Sequence, residues 1–266
     1  MTEKDTRFKI SWSSLQRWEL CKQKNFLVMN GQTAPGQDVR NFLAGNIVDR
    51  IQRDWLDNPV PGVMPTWVDD YMERCIAESE ERGTIKWRSK NDKTDIKKFC
   101  VEVTTALEPI LTARVLPYDY EPAKRFYQPV KIKRPDGEVE EIILRGEFDL
   151  LVRDPADGRF IVWDLKTTKD NDYWKKTLGQ LVFYDLVIIN MFGEPPKKTG
   201  LIQPACDEQV KEFTFDNSHR AEMWGRIQAM MQSEWAGDHE PKKDNAGCSF
   251  CEVAHACPKF KRKLFK

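Results

Sequence analysis

Two aspartates and a lysine in the middle of the chain have the types and spacing to bind a metal ion. Asp164 and Lys166 occupy alternate positions after an apolar run that begins at Phe160, so on a strand they project from the same face. Asp149, on the preceding predicted strand, can reach the same place. Two converging carboxylates repel each other unless a cation joins them, and hard oxygen ligands suit Mg²⁺ or Mn²⁺. Such an ion polarises a phosphodiester, and Lys166 can orient the attacking water.

Gln180 and Tyr184 are the next candidates, since they are spaced for one face of a predicted helix. The amide can order a water or a phosphate, and the phenol can stack on nucleic acid or form a hydrogen bond with it. A buried helix face is the alternative for this pair, and ordinary turn-proximal acids are the alternative for the two aspartates. Asp164, however, stands inside an apolar strand, where an unpaired carboxylate is costly. That context favours a functional site.

A cysteine-rich segment near the C-terminus has the spacing of a metal site. Cys248, Cys251 and Cys257 form Cys-x2-Cys-x5-Cys, which can place three thiolates on one centre. A tetrahedral zinc site and a cubane iron–sulfur cluster each need a fourth ligand. The sequence therefore predicts a metal centre completed by a distant residue.

Composition indicates a soluble globular protein and limits its location. The chain has 266 residues, 40% hydrophobic and 32% charged, with 42 basic and 42 acidic side chains. We find no apolar run of membrane-spanning length and no secretory signal, so we expect a cytoplasmic protein without membrane contact. Disulfides are rare there, and metal ligation is the first explanation for seven cysteines. The basic residues that end the chain are either a nucleic-acid patch or a solvated tail: Lys259, Lys261, Arg262, Lys263 and Lys266.

The elements that must position these residues are four helices, three strands, a helix, one or two further strands and a final helix. Helices are predicted over about 11–29, with Cys21 on the helix or at a break, and over about 41–56, 66–82 and 92–116. Strands are predicted over 126–134, 138–152 and from 160, with turns at Pro135-Asp136-Gly137 and at 154–158. Helices at 173–191 and 216–235 flank one or two further strands at 201–215. This order predicts an α/β fold with a small mixed sheet flanked by helices.

The motifs together resemble a nuclease family. Gly146-x-x-Asp149, Asp164-Leu165-Lys166-Thr167-Thr168 and Gln180-x3-Tyr184 are similar to the motifs of the PD-(D/E)xK nuclease superfamily, in its RecB-like exonuclease branch. The resemblance implies a restriction-endonuclease-like core. It also implies that Asp149, Asp164 and the Leu165 carbonyl bind the metal, and that Lys166, Gln180 and Tyr184 are catalytic.

Upstream, Gly45-x3-Asp49 resembles the Gly-x3-His helix motif of that family, with Asp49 in place of the usual histidine. An aspartate can still ligate Mg²⁺ or Mn²⁺, so the resemblance makes Asp49 a candidate metal ligand. A surface acid of the helix is the alternative.

The same resemblance supplies the fourth cysteine. In the RecB-like nucleases with an iron–sulfur cluster, similar to AddB nuclease domains and CRISPR-associated iron–sulfur exonucleases, one cysteine is N-terminal and three are C-terminal. Cys21 fits that place, which implies a 4Fe-4S cluster on Cys21, Cys248, Cys251 and Cys257 that staples the two ends of the chain together. Zn²⁺ is the alternative metal. The remaining cysteines are expected to be small core residues: Cys75, Cys100 and Cys206.

The resemblance implies a single domain over residues 1–266, with a helical insertion at about 57–116 and the cysteine segment and basic tail at about 245–266. It implies a metal-dependent DNA exonuclease that acts on single strands or DNA ends in replication, recombination or repair. Trp12, Trp18 and Tyr184 are candidates for base stacking. One alternative is a catalytically silent DNA-binding or assembly subunit with the same fold, and another is a zinc-stabilised protein with structural acids.

Overall fold

The computed structural model describes residues 7–32, 40–82, 85, 87, 89, 91–242, 248 and 251–259. The chain divides into two compact units. Unit 1 comprises residues 1–35, 126–146 and 216–266, and unit 2 comprises residues 36–125 and 147–215. The motif residues from Asp49 to Tyr184 lie in unit 2, apart from Gly146, and the four cysteines predicted to bind a cluster lie in unit 1. The predicted domain organisation stays a prediction.

The helices and strands follow one another along the chain much as the sequence predicts. In order they are β1 (Lys9–Ile10), α1 (Trp12–Leu20), α2 (Lys22–Met29), α3 (Arg40–Asp57), α4 (Val68–Glu81), α5 (Asp92–Arg114), β2 (Asp119–Lys133), β3 (Val139–Arg153), β4 (Phe160–Leu165), α6 (Tyr173–Phe192), β5 (Lys198–Ile202), β6 (Val210–Phe213) and α7 (Asn217–Trp235). Short 3-10 helices at Met64–Trp67 and Ala254–Ala256 complete the set described. Within this part of the chain, no helix is long and apolar enough to cross a bilayer.

A mixed sheet lies at the centre of unit 2. The second half of β3 pairs antiparallel with β4, β4 pairs parallel with β5, and β5 pairs antiparallel with β6. Trp163 of β4 lies beside Gly200 of β5, where a Cβ atom would come within 2.0 Å of the indole ring. The glycine therefore allows a large buried ring to lie across the neighbouring strand. The predicted α/β class with a small mixed sheet and flanking helices is confirmed.

The helical part of unit 2 packs around its own apolar side chains. Buried residues of α3, α4 and α5 form one core with the inward faces of β3 and β4, including Ile51, Trp55 and Leu107. The buried Glu108 carboxylate accepts hydrogen bonds from the backbone N–H groups of Gly62 and Met64. This contact holds the connection between α3 and α4 against α5.

Unit 1 begins with two helices separated at Cys21. Ser11 caps α1 in a capping box with Ser14. Cys21 has extended backbone angles, with φ −166° and ψ 112°, and this residue ends α1 and precedes α2. β1 runs parallel to the first half of β3, with Ile10 opposite Leu144.

Candidate active site

Neighbouring strands bring Asp149 and Asp164 together in unit 2. Leu150 of β3 lies opposite Trp163 of β4, and one further step of this antiparallel register places the two aspartates opposite each other. Asp149 accepts a hydrogen bond from the backbone N–H of Leu165, with an N–Oδ2 distance of 2.7 Å. Both carboxylates therefore point to one face of the sheet.

The Asp164 carboxylate is fully buried, and both of its oxygens have a partner. Lys166 Nζ lies 2.6 Å from Oδ2, and Gln180 Nε2 donates to Oδ1 at 2.9 Å. A buried charge that lacks such partners is strongly destabilising. These two contacts allow β4 to carry an acid among apolar residues.

The side chain of Tyr184 completes a hydrogen-bonded chain behind Asp164. Gln180 Nε2 donates to the Tyr184 hydroxyl oxygen at 2.7 Å, and that hydroxyl donates to the Glu147 carbonyl at 2.9 Å. The tyrosine ring is only 5% exposed and packs edge-on against Phe148, with centroids 5.0 Å apart. The prediction that Tyr184 stacks on nucleic acid is therefore wrong, because its ring is in the core and its hydroxyl holds the Gln180 amide.

The two aspartates carry more negative charge than their surroundings neutralise. Burial, reinforced by the charge of Asp164, raises the pKa of Asp149 to about 7, against the opposing effects of Lys166 and the Leu165 N–H. Burial also raises the pKa of Asp164, while Lys166 opposes it. Burial lowers the pKa of Lys166, but Asp164 and Asp149, with a smaller contribution from Tyr173, raise it further than burial lowers it. The site thus holds two buried acids against one ammonium, an excess that a cation would neutralise.

Asp49 lies at the same cleft, where an arginine holds it. Arg53 Nη2 lies 2.8 Å from Asp49 Oδ2 and 2.7 Å from Glu147 Oε1, so one guanidinium bridges two acids. Glu147 also contacts Arg125, with an Nε–Oε2 distance of 3.0 Å. Burial raises the pKa of Asp49, against the charge of Arg53 and with that of Asp149. Asp49 is the ion-pair partner of Arg53, and its role as a metal ligand stays a prediction.

The cleft beside the acids has a volume of about 230 Å³. Its lining residues come from α3, β3 and the end of β4: Gly45, Asn46, Asp49, Arg53, Asp149, Leu165, Lys166 and Thr167. A Cβ atom on Gly45 would lie 3.3 Å from Thr167 Oγ1, which is a tight contact. Glycine at this position lets α3 approach the residues that follow β4, and so brings Asp49 to the cleft.

The donor set suits a hard divalent cation. Asp149 and Leu165 line the cleft, and the buried Asp164 supplies a second carboxylate next to Asp149. Mg²⁺ commonly takes one or two carboxylates and keeps its other positions for water and substrate phosphates. In the described ranges no group of three or more His, Cys, Asp or Glu side chains is arranged to hold a metal. A cation here would therefore rely on two carboxylates, which is sufficient for Mg²⁺ or Mn²⁺.

The cysteines predicted to bind a cluster are partly exposed and lie in unit 1. The Cys251 N–H donates to the Cys248 carbonyl at 3.3 Å. Lys24 of α2 pairs with Glu252 at 3.3 Å, so the helix that follows Cys21 contacts the C-terminal cysteine segment. Among the described residues, no three of these thiols lie close enough together to hold a metal ion. The iron–sulfur cluster and its zinc alternative both stay predictions.

The other cysteines are buried, as predicted: Cys75, Cys100 and Cys206 are 4%, 0% and 8% exposed.

Trp12 and Trp18 lie in unit 1, with Arg226 over the first ring and Lys22 over the second. Their predicted role in base stacking is untested. Most of the predicted basic tail, residues 261–266, falls outside the described residues.

Two residues of the site lie outside the sequence motifs: Arg53, which lines the cleft, and Glu147, which pairs with Arg53. Arg53 follows Asp49 by four positions on α3, which is the spacing of a helix ion pair. Glu147 precedes Asp149 by two positions on β3 and therefore shares its face. Both signals are in the sequence, but each is common on surfaces unrelated to function.

Comparison with known proteins identifies the family. The sequence profile of the PD-(D/E)XK nuclease superfamily matches residues 9–258. The chain belongs to this superfamily. A crystal structure of a candidate exonuclease from Eubacterium rectale is similar to it, with a TM-score of 0.50 and 11% sequence identity over 96% of this chain and 87% of that chain. At this identity the likeness concerns the fold. No curated protein matches the chain significantly.

Membership of the PD-(D/E)XK nuclease superfamily accounts for the arrangement of unit 2. The mixed sheet with its flanking helices is consistent with the predicted restriction-endonuclease-like core. Enzymes of this superfamily use divalent metal ions and act on nucleic acid, which agrees with the two-carboxylate donor set. The superfamily thus supports nuclease activity.

Proposed function

We propose that this protein is a Mg²⁺- or Mn²⁺-dependent DNA exonuclease of the RecB-like branch, which acts on single-stranded DNA or DNA ends in replication, recombination or repair. One observation carries the proposal. Asp149, Asp164 and Lys166 converge at one end of β4, beside a cleft, and Gln180 holds the buried Asp164 carboxylate. An acid pair with an adjacent lysine suits hydrolysis of a phosphodiester.

Each residue has a distinct role in the proposed reaction. Asp149 and Asp164 would hold the cation, with the Leu165 carbonyl as a further ligand. When bound, the ion supplies Lewis acidity at the phosphodiester and lowers the pKa of water. Lys166 orients the attacking water and stabilises the negative charge that develops at the phosphate. Gln180 is a positioning residue for Asp164, and Tyr184 positions Gln180.

Cleavage of end-labelled DNA tests the proposal. Wild-type protein should shorten linear single strands in Mg²⁺ or Mn²⁺, spare circular single strands, and stop on addition of a chelator. Asp149→Asn, Asp164→Asn and Lys166→Met should each reduce the rate about 10²-fold or more. Asp154→Asn is the matched control. Asp154 lies in the turn after β3, where it pairs with Lys197 and takes no part in the proposed site. Full activity of either active-site aspartate variant, in both Mg²⁺ and Mn²⁺, would contradict the proposed site.

We also propose that Cys21, Cys248, Cys251 and Cys257 hold a 4Fe-4S cluster with a structural role, since metal binding couples directly to folding. The contact of Lys24 with Glu252 supports this, because it links the two cysteine-bearing segments. Anaerobically purified protein should be brown and contain iron and sulfide. A colourless protein with stoichiometric zinc would select the alternative metal.

The second candidate, a catalytically silent DNA-binding or assembly subunit, has one observation in its favour. Asp49, which stands where the family has histidine, lines the cleft but is paired with Arg53. If Asp49 is a metal ligand, Asp49→Ala should raise the Mn²⁺ concentration needed for cleavage. Binding of DNA without cleavage in either ion would favour the silent subunit.

A further inference from the structure

A surface of lysine and aromatic side chains lies at the start of α6 in unit 2. Lys176 Nζ is 5.3 Å from the ring centroid of Tyr173, and Lys175 Nζ is 5.7 Å from that of Trp174. Lys211, two residues before the end of β6, is also 5.7 Å from the Trp174 ring. We refer to these five residues as the lysine–aromatic surface. Each of its two rings thus carries at least one cation.

The helix places this surface next to the candidate active site. Tyr173 precedes Gln180 by seven residues, which is two turns, so both lie on one face of α6 about 10 Å apart along its axis. Gln180 donates to the buried Asp164 carboxylate. Tyr173 therefore lies on the face of α6 that carries Gln180, two turns nearer the start of the helix.

The lysines of this surface can bind phosphate at little cost. Lys175 and Lys176 are 59% and 68% exposed, and each contacts an acid that is itself exposed, Asp172 at 2.8 Å and Asp170 at 3.0 Å. Exposed ion pairs of this kind contribute little to stability. A DNA phosphodiester also carries one negative charge and accepts hydrogen bonds from an ammonium, so it can replace the carboxylate as the partner of each lysine.

The aromatic rings offer a stacking platform. Tyr173 and Trp174 are both partly exposed, and Trp174 stacks on Phe213 with centroids 6.1 Å apart and an angle of 27° between the planes. Phe213 stacks in turn on Phe215 at 6.2 Å and 5°. The stacked rings of Phe213 and Phe215 hold Trp174 in a fixed orientation. Stacking on such rings requires unpaired bases and tolerates any sequence.

We propose that the lysine–aromatic surface binds the single DNA strand that enters the active site, with bases on Tyr173 and Trp174 and phosphates on Lys175 and Lys176. The inference rests on the proposed nuclease function and names the substrate form that this site takes. It also assigns base stacking to the first turn of α6. Tyr184, about three turns further along the helix, is buried and cannot stack on a base.

Fluorescence anisotropy of a labelled oligothymidylate tests the surface without cleavage, because the measurement is made in chelator. Tyr173→Leu and Trp174→Leu should each weaken binding roughly 5- to 150-fold, the effect of losing one stacked base. The double variant Lys175→Ala/Lys176→Ala should lower the slope of log affinity against log salt by about 1.4, or 0.7 for each lost phosphate contact. Thermal unfolding of each variant checks the fold, and the lysine variant does not depend on core packing.

Another lysine–aromatic pair in unit 2 provides the matched control. Lys93 Nζ lies 5.0 Å from the Trp87 ring, in the helical part of the unit. Trp87→Leu and Lys93→Ala should bind the oligonucleotide as tightly as wild type. Equal losses in these controls and in the surface variants would overturn the assignment, and so would equal competition by duplex DNA.

Parallel cleavage assays separate this inference from the proposed function. If wild-type protein cleaves DNA in Mg²⁺ or Mn²⁺ but Tyr173→Leu and Trp174→Leu bind single strands normally, the surface assignment fails and the nuclease proposal stands. If wild-type protein neither binds nor cleaves DNA, both fail. Weakened binding confined to the surface variants, with cleavage reduced at low substrate concentration, supports the assignment.

Discussion

Replacing Asp149 with asparagine should make the metal-free protein more stable at alkaline pH while it abolishes cleavage. Asparagine has the same shape and keeps an acceptor for the Leu165 N–H, which lies 2.7 Å from the carboxylate oxygen. The change removes one of two buried carboxylates that repel each other. Lys166 remains paired with Asp164 at 2.6 Å. Stability and activity should therefore respond in opposite directions.

The size of the effect follows from the pKa of Asp149. Burial and the charge of Asp164 raise it to about 7 in the folded protein, from an ordinary value of 3.8. An acid with a raised folded-state pKa stabilises the fold fully below its unfolded pKa. That stabilisation is lost as the pH rises from about 4 to about 7. At about 1.36 kcal/mol per pH unit, the ionised Asp149 costs at most about 4 kcal/mol.

Unfolding in urea and by heat, in chelator at about pH 5 and about pH 8, measures this effect. At the higher pH, Asp149→Asn should gain about 2–4 kcal/mol, or about 4–16 °C in Tm. At the lower pH the gain should shrink, because wild-type Asp149 is already protonated. Added Mn²⁺ should stabilise wild type and leave the variant unchanged.

Two results would refute this reasoning. One is a variant less stable than wild type at about pH 8 in chelator, and the other is an equal gain at both pH values. Asp154→Asn is the control of opposite sign, because its hydrogen bond from Lys197 lowers the pKa of Asp154. Its contribution to stability is present above the unfolded pKa and is lost as the pH falls, so this variant should be destabilised at about pH 8.

Three further predictions concern positioning, packing and the cysteines. Gln180→Leu removes an amide that donates to a buried carboxylate and a buried phenol, so kcat on end-labelled single strands should fall about 10- to 100-fold with little change in KM. Gly200→Ala should lose about 1–3 kcal/mol in urea unfolding, because its Cβ atom would lie 2.0 Å from the Trp163 ring; Gly225→Ala in α7, with nothing within 4 Å, should not be destabilised. Cys21→Ser should lose iron and sulfide, whereas serine at each of the buried cysteines of unit 2 should leave both contents unchanged, and full iron in the Cys21 variant would mean that another residue is the fourth ligand.

The sequence by itself predicts the elements and several pairs within them, because the signals are local. Strand alternation places Lys166 on the face of Asp164, and helix spacing places Tyr184 next to Gln180. The predicted helix starts at about 11 and 216 coincide with the residues that cap α1 and α7, Ser11 and Asp216. These features depend on residues a few positions apart, so periodicity and capping chemistry suffice to predict them.

The sequence does not fully predict two features, the helix break at Cys21 and the length of β2. The sequence allows Cys21 on a helix or at a break, and the structure has extended backbone there. β2 begins at Asp119, before the predicted start at 126, in a stretch that includes Glu121 and Pro122. Pairing with a neighbouring strand extends β2 through residues whose own preferences for strand are weak.

Only the tertiary structure decides which distant residues meet at the site. Arg53 lies 94 positions from Glu147 and donates to it at 2.7 Å, and the Tyr184 hydroxyl reaches the carbonyl of the same glutamate. Because of these contacts Tyr184, which the sequence predicts to stack on bases, is buried and supports Gln180. Asp49 likewise pairs with Arg53. Contacts of this kind depend on strand register and on how α3 and α6 pack against the sheet, which many local patterns would allow equally. The sequence therefore determines which side chains are present for the chemistry, and the packing of the sheet and helices determines which of them face the cleft.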